Sequence, residues 1–105
     1  MPGRKPSRPS PDAIFKALGS PARLTLVRTL MEGERCVCDL VEAAGLGWST
    51  TSKHLDVLRE AGVVSSEKRA QKIFYRIELA CVAGFISCLD GACEGKPAKR
   101  AACRA

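Results

Sequence analysis

Between residues 11 and 32 the apolar positions recur every three or four residues, the spacing of one face of an α-helix. Ile14, Phe15 and Leu18 turn inward from a first helix over about residues 11–18. Leu24, Val27, Leu30 and Met31 do the same from a second over about 21–32. Both helices start alike: Ser10-Pro11 and Ser20-Pro21 each set a capping hydroxyl before a proline at the first helical position. Gly33 ends the second helix. A short third helix covers about 38–44 and stops at Gly45, and "LGW" forms a tight turn. A fourth helix follows, capped by Ser49, running to about Ala61 and closed by Gly62. Its Thr51, Leu55 and Leu58, at i, i+4 and i+7, face the core.

Past Gly62 the pattern changes. "VVSSE" and "KIFYRIE" read as two strands, and in the second Ile73, Tyr75 and Ile77 alternate with Lys72, Phe74 and Arg76, the period of a half-buried strand. The polar link "KRAQ" makes the pair a hairpin with a basic tip. A last helix, about 78–90, gathers Leu79, Val82, Phe85, Ile86 and Leu89 on one face. Helix, helix, helix–turn–helix, hairpin, helix is the order of a winged helix–turn–helix, a mainly α fold with a β-hairpin wing. The sequence contains no internal repeat.

Composition narrows this picture. With 105 residues and 46% hydrophobic residues, the chain has room for one domain with a thin core, and chains this small often gain stability by dimerising. Residues 1–10, "MPGRKPSRPS", read as a disordered basic arm. Residues 11–90 form the domain, and 91–105 form a small, basic, loose tail carrying cysteine. No apolar run follows the basic start, so it is not a signal peptide, and no stretch is long enough to span a membrane. The expectation is a cytoplasmic protein whose six cysteines stay reduced, which turns unusual cysteine spacing toward metal or redox chemistry. A formal charge of +6 fits a polyanionic partner, or a merely soluble basic protein.

The fourth helix decides between them. With Thr51, Leu55 and Leu58 packed inward, Ser49, Thr50 and Lys53 lie on the outer side, flanked by Ser52 and His54. All occupy the first two turns, the part of a recognition helix that meets base edges. Hydroxyl and imidazole groups donate to or accept from bases and phosphates, and Lys53 neutralises phosphate. Lys68, Arg69 and Lys72 in the hairpin are placed to hold the neighbouring DNA backbone. A plain solvated helix face would not coincide with both the turn and the basic hairpin. His54, the sole histidine, is better used on a phosphate or base than on a metal.

At this point the segments "LGSPARLTLVRTL", "ERCVCDL" and "STTSKHLDVLREAGVVSSEKRAQKIFYRI" together resemble the ArsR/SmtB metal-sensing transcriptional repressors over about residues 11–90. The resemblance implies a homodimer paired through its terminal helices, a partly palindromic double-stranded operator, and release of DNA when an inducer binds. Trp48 stands where many relatives have glutamine, so packing or covering replaces the expected base contact there.

"ERCVCDL" carries the second kind of chemistry. On a regular helix Cys36 and Cys38 would point about 200° apart. They converge only if the helix begins at or after Cys38, or if its first turn unwinds. Arg35 and the helix N-terminus favour the thiolates, and soft thiolates select soft ions. "CVCDL" is similar to the signature of arsenic-responsive members, which implies trivalent arsenic or antimony as inducer. Those repressors often carry a third cysteine where this chain has Val41, so a third sulfur must come from elsewhere. Cys93 and Cys103 are candidates, and "GACEGKPAKRAAC" is loosely similar to the cysteine-bearing tails of other arsenic-responsive relatives. Cys81 and Cys88, seven apart, read as small packing residues at a dimer interface. With no histidine on that helix, zinc between the terminal helices is not expected.

Two other readings compete. The thiols could serve a redox or persulfide sensor, or bind cadmium or lead, on the same DNA-binding fold. A dithiol reductase would need a CxxC beside a βαβ unit, and the chain has neither, so no enzyme is expected.

Overall fold

The computed structural model describes residues 10–95. The expected N-terminal arm, apart from Ser10, and Cys103 lie outside them. The elements are α1 (Pro11–Leu18), α2 (Pro21–Met31), β1 (Arg35–Cys36), α3 (Val37–Ala44), α4 (Trp48–Glu60), β2 (Val64–Arg69), β3 (Lys72–Ile77) and α5 (Ala80–Cys93). The three strands form one antiparallel sheet in the order β1-β3-β2. This is a winged helix–turn–helix, with β2 and β3 as the wing.

The helical periods read from the sequence bury the residues that hold these elements together. Leu26, Val27 and Leu30 of α2, Leu40 of α3 and Leu55 and Leu58 of α4 meet Val63, Val64 and Tyr75 from the wing base. Val82 and Ile86 of α5 join them. Leu55 and Leu58 are fully buried, so cutting either back to alanine costs about 2–5 kcal/mol and loosens the helix that carries the outer polar face. Gly45, at φ 70°, closes α3 in a left-handed turn that lets α4 leave at once.

Several boundaries differ from the sequence reading. The cap of α4 is Gly47 and not Ser49: the N–H of Thr51 donates to the Gly47 carbonyl at 2.9 Å, which makes Trp48 the first helical residue. The third helix starts at Val37, because Cys36 stays extended (φ −72°, ψ 152°) as a strand residue opposite Phe74. The last helix starts at Ala80, since the N–H groups of Glu78 and Leu79 both donate to the Val63 carbonyl and hold the chain against the sheet. The hairpin link shrinks from four residues to Ala70 and Gln71, with Lys68 and Arg69 inside β2. Ile73 is exposed on the wing. Phe15, expected inward, is 58% exposed and meets Phe85 edge-on at 5.5 Å between ring centroids.

Candidate nucleic-acid interface and dithiol site

The first two turns of α4 present a polar surface because the buried stripe lies on the other side. Thr51, Leu55 and Leu58 are inside, while Ser49, Thr50, Ser52 and Lys53 are exposed. His54 is half-buried and does not stand alone. The Arg23 guanidinium bridges from the Ala17 carbonyl (Nε, 2.6 Å) to His54 Nδ1 (Nη1, 3.1 Å). At the later turns Asp56 and Arg59 pair at 3.0 Å, so the acidic end of the helix is locally balanced. Trp48, at 56% exposure, and Leu46 place an apolar patch beside this polar face, which the sequence reading had assigned to a turn.

In the wing, Lys68 and Lys72 are exposed. Arg69 is not available in the same way. It donates to both oxygens of Glu34 at 2.8 and 2.7 Å and to Glu67 at 2.9 Å, and it lies over the Phe74 ring at 4.9 Å. These carboxylates hold its guanidinium in the charged form, and Arg69 in turn pulls the Glu34 carboxyl below its ordinary range. Of the three wing residues set against the DNA backbone, Lys68 and Lys72 are left facing outward and Arg69 is tied up by carboxylates. No local sequence signal paired Glu34 with Arg69, because 35 residues separate them.

Glu34 leads directly into the thiols. Cys36 is buried, Cys38 is exposed, and their sulfurs lie 3.2 Å apart with Cys38 donating to Cys36. Convergence is possible because Cys36 is an extended cap outside the helix, while Cys38 is the second helical residue. The backbone N–H and then the thiol of Cys38 lower the Cys36 pKa, helped by the Lys72 charge. Donating to Cys36, together with burial and the neighbouring negative charge, raises that of Cys38. The two shifts run in opposite directions, so Cys36 is the more acidic thiol of the pair. Arg35, expected to favour both thiolates, is turned instead to Glu32 at 3.3 Å.

With ion–sulfur bonds of about 2.3 Å, such a pair subtends about 90° at a shared ion, narrower than the about 109° of tetrahedral zinc. Cys36 and Cys38 can thus hold a soft ion as a narrow chelate. The site is tied to the wing twice, through the β1–β3 pairing and through Glu34–Arg69. Cys93 ends α5 close to Arg28, which is bound in a bidentate pair with Asp90. Among the described residues no three His, Cys, Asp or Glu side chains gather as a metal site, so Cys93 is not brought to the dithiol within this set. Cys81 is exposed and Cys88 half-buried on α5.

A family model described as "Bacterial regulatory protein, arsR family" matches residues 20–66, the segment from the start of α2 through the dithiol and α4 into the wing. A biofilm growth-associated repressor of Xylella fastidiosa is 42% identical over 76 residues, 72% of this chain and 67% of its own length. The chain belongs to the arsR family. The arsenic resistance transcriptional regulator ArsR1 of Pseudomonas putida is 40% identical over 70 residues, covering 65% of this chain and 54% of its own. Among solved structures, a homodimeric winged helix–turn–helix DNA-binding domain of a possible ArsR-family regulator from Mycobacterium bovis superposes with a TM-score of 0.73 at 28% identity. That match covers 79% of this chain and 77% of that one. The arsR-family relatives described here are named as repressors and regulators of transcription, and none as an enzyme. Among the described residues, no helix of this arsR-family chain is long and apolar enough to cross a membrane.

Proposed function

We propose that the protein is a homodimeric repressor that binds a double-stranded operator and releases it when Cys36 and Cys38 capture trivalent arsenic or antimony. The observation that carries the inducer assignment is the 3.2 Å separation of the two sulfurs. Three-coordinate ions with a lone pair hold their bonds near right angles, which matches this bite, whereas a tetrahedral ion would force the sulfurs apart. The arsenic resistance regulator of Pseudomonas putida, 40% identical over the aligned segment, supports the same choice. In the bound form each arsenic–sulfur bond replaces an arsenic–hydroxide bond, the thiol proton leaving with the hydroxide as water, so no oxidant or reductant is needed. Cys93 of either chain is assigned the third sulfur.

DNA is held by the exposed first two turns of α4, with Ser49, Thr50, Ser52, Lys53 and His54 at the duplex and Lys68 and Lys72 on the flanking backbone. Because Cys36 and Cys38 already converge, recruiting the third sulfur to the bound ion pulls on the pair and moves the first turn of α3. That helix packs on α4, and Cys36 is paired with β3, so both DNA-facing elements shift together. Pairing of two chains is assigned to the α1–α5 face, where Phe15, Phe85 and Leu89 are exposed.

The test uses reduced protein and the duplex it enriches from a random-sequence library, followed by fluorescence anisotropy during arsenite addition. Wild type is expected to bind and then release, while a Cys36→Ser/Cys38→Ser double variant binds and stays bound. Release of the double variant at the wild-type arsenite concentration would sink the site assignment. Release by a mild oxidant, with arsenite ineffective, would instead favour the redox reading.

A further inference from the structure

His54 and Arg23 form a device that the inducer site does not use. Arginine only donates hydrogen bonds, so the 3.1 Å contact from Nη1 obliges His54 Nδ1 to accept. The proton of the neutral ring then sits on Nε2. Arg23 is itself held: its Nε donates to the Ala17 carbonyl at 2.6 Å, and its backbone N–H donates to the capping hydroxyl of Ser20 at 3.4 Å. The guanidinium is thus aimed from the α1 end and the α2 start at one ring nitrogen. His54 is half-buried, and its helix neighbours Thr50 and Lys53 are exposed on the outer face of α4.

We propose that Arg23 is a positioning residue that locks His54 in its Nε2–H form, so that His54 meets the duplex as a neutral hydrogen-bond donor. The matching atom is an acceptor on DNA, either a base-edge oxygen or nitrogen in the major groove or a phosphate oxygen. This rests on the DNA-binding reading above, but the tautomer is a property of the free protein. The two can therefore fail separately.

Because the chain has a single histidine, ring-nitrogen labelling gives one unambiguous imidazole in a long-range proton–nitrogen correlation spectrum. The expected wild-type pattern is protonated Nε2 with bare Nδ1, and Arg23→Met should collapse it to an average of both tautomers. A wild-type ring protonated on Nδ1, or a ring unchanged by Arg23→Met, overturns the proposal. Should Arg23→Met fail to fold, a donor swap gives a second measurement. His54→Gln keeps an N–H near the Nε2 position and should bind the wild-type-selected duplex within about threefold, whereas His54→Asn falls short and should lose about tenfold. Equal losses in both would overturn it. The acceptor is then identified by repeating the library selection with His54→Leu. Lost preference at one base position marks a base edge. An unchanged preference with uniformly weaker binding and an unaltered salt slope marks phosphate, because a neutral donor displaces no counterion.

Discussion

Replacing Cys38 by serine breaks the proposed chelate while leaving a hydroxyl in place of an exposed thiol, so the fold and the unliganded DNA affinity should persist. The loss in inducer affinity can be worked from the sulfur separation. One sulfur confined to a sphere of radius 3.2 Å around the other corresponds to an effective concentration of about 10 M. In a buffer containing about 1 mM of a competing monothiol, the intact pair holds an advantage of about 10⁴ over a site that must recruit its second sulfur from solution, or about 5.5 kcal/mol. The arsenite concentration giving half-release of the labelled duplex should rise by about 10²–10⁴ in Cys38→Ser, the lower end applying if the remaining sulfurs reorganise. Cys36→Ser should do the same, since either change leaves one sulfur of the converged pair. Cys93→Ser should shift the midpoint less, because no pre-formed approach of Cys93 to the dithiol supports it. A midpoint within threefold of wild type for either single dithiol variant would refute the chelate argument.

Three further outcomes test other parts of the structure. Thr51 is fully buried and its Oγ1 has no hydrogen-bond partner among the described residues, so Thr51→Val should stabilise the protein by about 1–2 kcal/mol, read as a higher urea midpoint; a lower one would mean the hydroxyl is satisfied. The Glu34 and Asp90 carboxyls are held below their ordinary pKa values of 4.5 and 3.8 by their arginine partners. Their stabilising contributions are therefore whole above those values and are lost as pH falls through the lower folded-state ones, and urea midpoints of Asp90→Asn should fall less than wild type on acidification. Phe85, exposed and stacked edge-on with Phe15, belongs to the proposed pairing face. Phe85→Ser should shift sedimentation equilibrium toward monomer, and an unchanged dimer would move the interface elsewhere.

Local pattern determined much of this molecule. The i, i+4, i+7 spacing of Thr51, Leu55 and Leu58 placed the buried stripe of α4 correctly, and the outward set of Ser49, Thr50, Ser52 and Lys53 followed from it. The order of periodic helices and alternating strands identified a winged helix because each period reflects how adjacent residues meet a core. Tertiary structure decided what depended on distant partners. The two-residue strand Arg35–Cys36 exists only because Phe74 and Tyr75 lie opposite, and that pairing keeps Cys36 extended so that its sulfur turns to Cys38. Arg69, set against the DNA backbone by its place in the hairpin, is claimed by Glu34, and His54, set at a phosphate or base, is reached by Arg23 across 31 positions. Sequence spacing records which side of an element a residue occupies, whereas the charge and proton it carries are set by whatever the folded chain brings within hydrogen-bonding distance.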